Sequence, residues 1–105
     1  MKTKVVISAQ AEVDIENAYL YIRQDAPETA ARWRRRLLSA ICTLDHFPLR
    51  YEIAPEARDA GIELRHMLFG AYRVLYLVDG KTVRIQGVRH GARRPMRLDE
   101  LPDAD

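Results

Sequence analysis

The chain reads as an α+β fold in the order β-α-α-β-β-β: one N-terminal strand, a helical hairpin, then a three-stranded antiparallel meander, with the helices packed on one sheet face. Three observations predict it. Apolar residues recur at helical spacing along two stretches of the first half. The second half turns to short β-branched and aromatic runs. Asp79-Gly80 separates two of those runs, and Asp-Gly between apolar segments is a strong hairpin signal.

Lys4-Val5-Val6-Ile7 is short and β-branched and ends at Ser8, which predicts a strand followed by a helix cap. Acids then gather at a helix start (Glu12, Asp14, Glu16), where they suit the macrodipole. Ala11, Ile15, Ala18, Tyr19 and Ile22 fall on one face of that helix. Asp25-Ala26-Pro27-Glu28 ends it and begins another, because proline is tolerated in a first helical turn. Ala30, Trp33, Leu37, Ile41 and Leu44 make the second apolar stripe, and Pro48 stops it. The cluster Arg32, Arg34, Arg35 and Arg36 reads as the solvated side of this helix. Residues 48–61 hold two prolines, a glycine and mixed charges, an irregular connection. Strands are predicted near Ile62–Leu68, Tyr72–Val78 and Thr82–Arg89, with turns at Phe69-Gly70-Ala71 and Asp79-Gly80. The sheet face away from the helices is expected to be partly open.

A length of 105 residues, 48% of them hydrophobic, suits one core without covalent staples, so residues 1–97 are read as a single domain. Residues 98–105, with Asp99, Glu100, Asp103 and Asp105 and no base, are read as an acidic, flexible tail. The formal net charge of +2 is uninformative, but its distribution is not. From Arg58 to Arg97 nine Lys/Arg stand against three acids, a basic block that suits a polyanionic partner. Cys42 is the only cysteine, and its place in an apolar helical run predicts a small buried hydrophobe. With no signal-peptide pattern and no apolar run near the roughly 18 residues of a membrane span, the cytoplasm is the expected compartment.

His46, His66 and His90 are scattered, so the paired spacings of a metal site are missing, and no cofactor motif is present. Ser8 and Ser39 give no nucleophilic triad. The informative residues lie in the meander: Glu63-Leu64-Arg65-His66, Tyr72-Arg73-Val74-Leu75-Tyr76, and Val88-Arg89-His90-Gly91-Ala92-Arg93-Arg94-Pro95. A leading strand, a helical hairpin, a Leu-Arg strand, a Tyr-Arg-aliphatic-aliphatic-Tyr strand and a closing Val-x-His-x-x-Arg, in this order from about Lys4 to Arg97, resemble the RelE/ParE superfamily of toxins from type II toxin–antitoxin systems, the plasmid stabilisation family.

The resemblance implies growth arrest by one of two routes, and a cognate antitoxin that holds the toxin in a hetero-oligomer. A RelE-like endoribonuclease cleaves messenger RNA on the ribosome and needs proton donors and acceptors together with cations for the phosphorane. His90 would then be the acid or base, and Arg65, Arg73 and Arg93 would hold the phosphate. A ParE-like toxin inhibits DNA gyrase by binding it, which requires a surface and no catalytic group. Arg65, Arg73, Arg89, Arg93, Arg94 and Arg97 are the candidate contacts to a target or nucleic acid. Two departures from the RelE pattern favour the ParE-like route: no tyrosine follows His90, and the stretch from Pro48 to Gly61 has no lysine. A non-toxic nucleic-acid-binding or regulatory module is a third reading. Tyr72 and Tyr76 share a strand parity and read as packing residues.

Overall fold

The computed structural model describes residues 3–91. Strand β1 (Lys4–Ile7) leads into helices α1 (Ala9–Arg23) and α2 (Pro27–Cys42), and strands β2 (Arg65–Phe69), β3 (Tyr72–Asp79) and β4 (Thr82–His90) follow. Together the strands form one four-stranded sheet in the order β1-β4-β3-β2. β1 lies parallel to β4, while the meander is antiparallel, so the sheet is mixed.

Ser8 ends the first strand because its side chain serves the helix: its Oγ accepts from the Ala11 amide at 3.0 Å. The same hydroxyl donates to the Gln86 carbonyl at 3.3 Å, fixing the start of α1 to β4. α1 buries Ala11, Ile15 and Ala18, and α2 buries Ala30, Leu37 and Ile41. These stripes meet Val74, Tyr76, Val83, Ile85 and Val88 from the sheet, with Trp33 packed at the margin. That is the predicted helical layer on one sheet face.

Both hairpin turns rest on glycine. Gly70 (φ +57) and Gly80 (φ +60) take the left-handed conformation as the first residue of the loops Gly70-Ala71 and Gly80-Lys81. The second turn therefore lies one residue beyond the Asp-Gly pair, with Asp79 still in β3.

Two expectations are corrected. β2 begins at Arg65 and not at Ile62, because the chain before it is taken up by a connection across the sheet: Ile53 bridges Arg65, the Ala54 amide donates to the Leu64 carbonyl, and the His66 amide donates to the Glu52 carbonyl. Ala54, Ala57 and Leu64 of that connection pack on Leu75, so the face away from the helices is partly covered from within the chain. Cys42 is exposed, since the last turn of α2 turns Ile41 inward and Cys42 outward.

Candidate functional site

Strand register decides which of the predicted site residues can meet. Arg65 stands opposite Tyr76, and Arg73 opposite Leu68. Cross-strand partners share a sheet face and successive residues alternate. Arg65 therefore lies on the helix side of the sheet and Arg73 on the other. Tyr72 pairs with His90 and Arg73 with Arg89, so His90 is on the helix side and Arg89 accompanies Arg73. The His90 row and the Arg65 row are four positions apart along β3, about 13 Å at strand rise. Arg65, Arg73 and His90 are not brought to one point. Arg93, Arg94 and Arg97 lie outside the described residues.

Arg73 is buried, and both of its terminal nitrogens reach Glu56, at 3.1 Å and 2.5 Å. The Glu56 side chain is wholly inaccessible, so the pair is shielded from solvent and its charges compensate each other. Behind it stands His66, buried, with Nδ1 3.3 Å from the Arg73 guanidinium. A guanidinium only donates, so Nδ1 is the acceptor there and Nε2 carries the proton toward the Glu52 carboxylate 3.2 Å away. The chain Glu52, His66, Arg73, Glu56 thus ties the connection to β2 and β3. Sequence reading missed the role of His66. The available signal was parity: with a two-residue turn at Gly70-Ala71, His66 must share the face of Arg73.

Arg65 is also engaged. It donates to the Tyr51 carbonyl at 2.6 Å and to the Leu49 carbonyl at 3.4 Å, with Glu63 3.6 Å away. Tyr76, wholly buried beside it, donates its hydroxyl to the Pro48 carbonyl at 2.6 Å. Burial pushes the Tyr76 phenol up to about 12, although the nearby cations Arg65 and Arg50 pull the other way.

The open ground on the helix side is a cleft of about 540 Å³ between α1 and the end of the meander. Asn17, Ala18 and Tyr21 line it from α1, and Tyr72, Val88 and His90 from the sheet. Tyr72 is held between Trp33, at 5.1 Å between ring centroids, and the edge of His90, at 5.2 Å. Asp14 also reaches the cleft, but its carboxylate accepts from the Val88 amide at 3.0 Å and from Gln10 at 2.8 Å. Gly87 leaves room for that contact: a β-carbon there would lie 3.0 Å from Asp14 Oδ2. Among the described residues no group of three or more His, Cys, Asp or Glu could hold a metal ion. No described helix is long and apolar enough to cross a membrane.

The fold recurs in chains of solved toxin–antitoxin systems. The fold is similar to that in the chromosomal ParDE system from P. aeruginosa, with a TM-score of 0.71 at 14% identity, covering 84% of this chain and 95% of that one. It is similar as well to the RelBE2 toxin–antitoxin complex of Mycobacterium tuberculosis, with a TM-score of 0.57 at 25% identity, covering 89% of this chain and 95% of that one. A search of curated proteins gives no match. The model of one family, described as the ParE toxin of type II toxin–antitoxin system, parDE, matches residues 5–95, and the chain belongs to that family.

Proposed function

We propose that this toxin arrests growth by binding DNA gyrase in the cytoplasm, that its activity resides in a surface and not in a catalytic centre, and that a cognate antitoxin restrains it in a hetero-oligomer. The family supports the toxin and antitoxin parts of this reading. One observation carries the choice of mechanism. Among the described residues that RNA cleavage would draw upon, Arg65, Arg73 and His90 are spread over two sheet faces, and both arginines are engaged: Arg73 by Glu56 and Arg65 by the carbonyls of Leu49 and Tyr51. A phosphoryl-transfer site needs its acid, base and cations around one phosphate. No such grouping of Arg65, Arg73 and His90 is present.

The test is induced expression in a bacterial host, with translation and DNA-damage reporters followed together as growth stops. The expected outcome is damage signalling while translation continues, with His90→Ala as toxic as the parent. Early loss of translation with cleaved messages, abolished by His90→Ala in a variant that still folds and binds its antitoxin, would make the protein a ribosome-dependent endoribonuclease. Uninterrupted growth with folded protein present would overturn toxicity itself in that host.

A further inference from the structure

We propose that the outer face of α2 is a docking surface for the phosphate backbone of duplex DNA, carried by Arg32, Arg35 and Arg36. The proposal does not depend on the gyrase reading. It begins from the helical projection: at about 100° per residue these three side chains centre on the side opposite Ala30, Leu37 and Ile41, the residues that α2 buries. All three are exposed. Positions three and four apart on a helix place their β-carbons about 5–6 Å from one another, so the three guanidinium groups fan out from a single turn.

The fourth member of the run shows what a structural arginine looks like here. Arg34 turns toward α1, donates to Glu16 at 3.0 Å and lies over the Tyr19 ring at 3.8 Å from its centroid. Arg32, Arg35 and Arg36 make no hydrogen bond, ion pair or ring contact among the described residues. Glu28 is the one acid in α2, stands in its first turn, where it suits the dipole, and forms no ion pair with them. Three arginines held close together repel one another unless counter-charge is supplied, and a phosphate backbone supplies it.

The chemistry of the face selects among polyanions. Arginine forks match phosphate oxygens two bonds at a time. Single-stranded nucleic acid is usually held by aromatic platforms as well as charge, and no exposed aromatic stands among these arginines: Trp33 is turned to Tyr72. A protein partner would be expected to find an apolar anchor, and no large apolar side chain lies between them. What remains is a cluster of three cations within one turn of α2, facing outward, which suits a rod-like polyanion with one charge per ~3.4 Å on each strand.

The experiment measures binding of the purified full chain to a short fluorescein-labelled DNA duplex of mixed sequence by anisotropy, from about 50 to 200 mM salt. The parent is compared with the triple variant Arg32→Ala, Arg35→Ala, Arg36→Ala, and with Arg34→Ala; alanine favours an exposed helix, and circular dichroism checks that each variant folds. The expected result is that the triple variant loses about 2.7 from the slope of log affinity against log salt, 0.9 for each phosphate contact, and binds at least about tenfold more weakly at low salt. Arg34→Ala should bind as the parent does. Unchanged affinity and slope in a folded triple variant would overturn the proposal. So would preference for a single-stranded RNA of the same length, or binding of a polyglutamate peptide through these arginines with no binding of duplex.

Discussion

Replacing Arg73 with methionine keeps much of the side-chain volume and removes only the charge and the donors, which makes it the sharpest probe of the buried pair. Glu56 has a wholly inaccessible side chain and Arg73 one that is 11% exposed, so the substitution would take the Arg73 guanidinium away from a carboxylate held in low dielectric. Breaking a buried pair from one side costs about 3–5 kcal/mol, a large fraction of a small domain's stability. In a chain of this size that corresponds to a fall in Tm of at least ~12 °C. Urea unfolding at neutral pH, followed by far-ultraviolet circular dichroism, measures it, with Glu56→Gln and the double variant completing a cycle. The double variant should lose less than the two single variants together, because the contact between the two side chains is lost once and not twice. A loss below ~1 kcal/mol in Arg73→Met, accompanied by complete loss of toxicity, would refute the argument. It would mean that Arg73 works on the target and that its contact with Glu56 is incidental.

Two further outcomes follow from contacts that can be cut singly. Tyr76 should ionise at about 12 in an ultraviolet titration, against the ordinary 10.0. Its raised folded value means that the stabilisation is fully present below pH 10 and is lost as pH climbs from there through about 12; Tyr76→Phe should remove that alkaline loss and lower neutral-pH stability by ~1 kcal/mol. Gly87→Ala should destabilise by ~1–2 kcal/mol, since the new β-carbon pushes the Asp14 carboxylate from the Val88 amide. In an Asp14→Ala background a thermal melt should show that penalty nearly gone.

The helices and strands were legible because their signals are local. Ser8 before a run of acids, Pro27 in a first turn, the two apolar stripes and the glycines at 70 and 80 each state a backbone conformation within a few residues. Cys42 was misjudged from its neighbours: it follows Ile41 by one position, and one position on a helix is 100°, enough to turn a side chain from core to solvent. The separation of Arg65 from Arg73 was in principle readable. A two-residue turn at Gly70-Ala71 fixes the register, and the register fixes the faces. What could not be read was Glu56 as the partner of Arg73 or Pro48 as the partner of Tyr76, because both sit on an irregular connection whose path no periodicity describes.

That connection explains why the basic residues of the meander and those of α2 differ in kind. Its apolar hold on the sheet is modest, with Ala54, Ala57, Leu64 and the half-buried Ile53 packed with Leu75 and Leu77. Polar tethers spaced along it make up the difference: Tyr76 to the Pro48 carbonyl, Arg65 to the Tyr51 carbonyl, His66 to Glu52 and Arg73 to Glu56. Arginine suits this work because its long stem crosses an apolar layer while its fork satisfies two acceptors at once. Arg65 and Arg73 therefore hold that connection to the sheet, Arg65 from the helix side and Arg73 from the opposite face. A toxicity screen that scored them as target contacts would be reading stability, unless the folded fraction were measured beside growth. The exposed arginines of α2 make no such tether, so loss of function there without loss of folding would report on a surface.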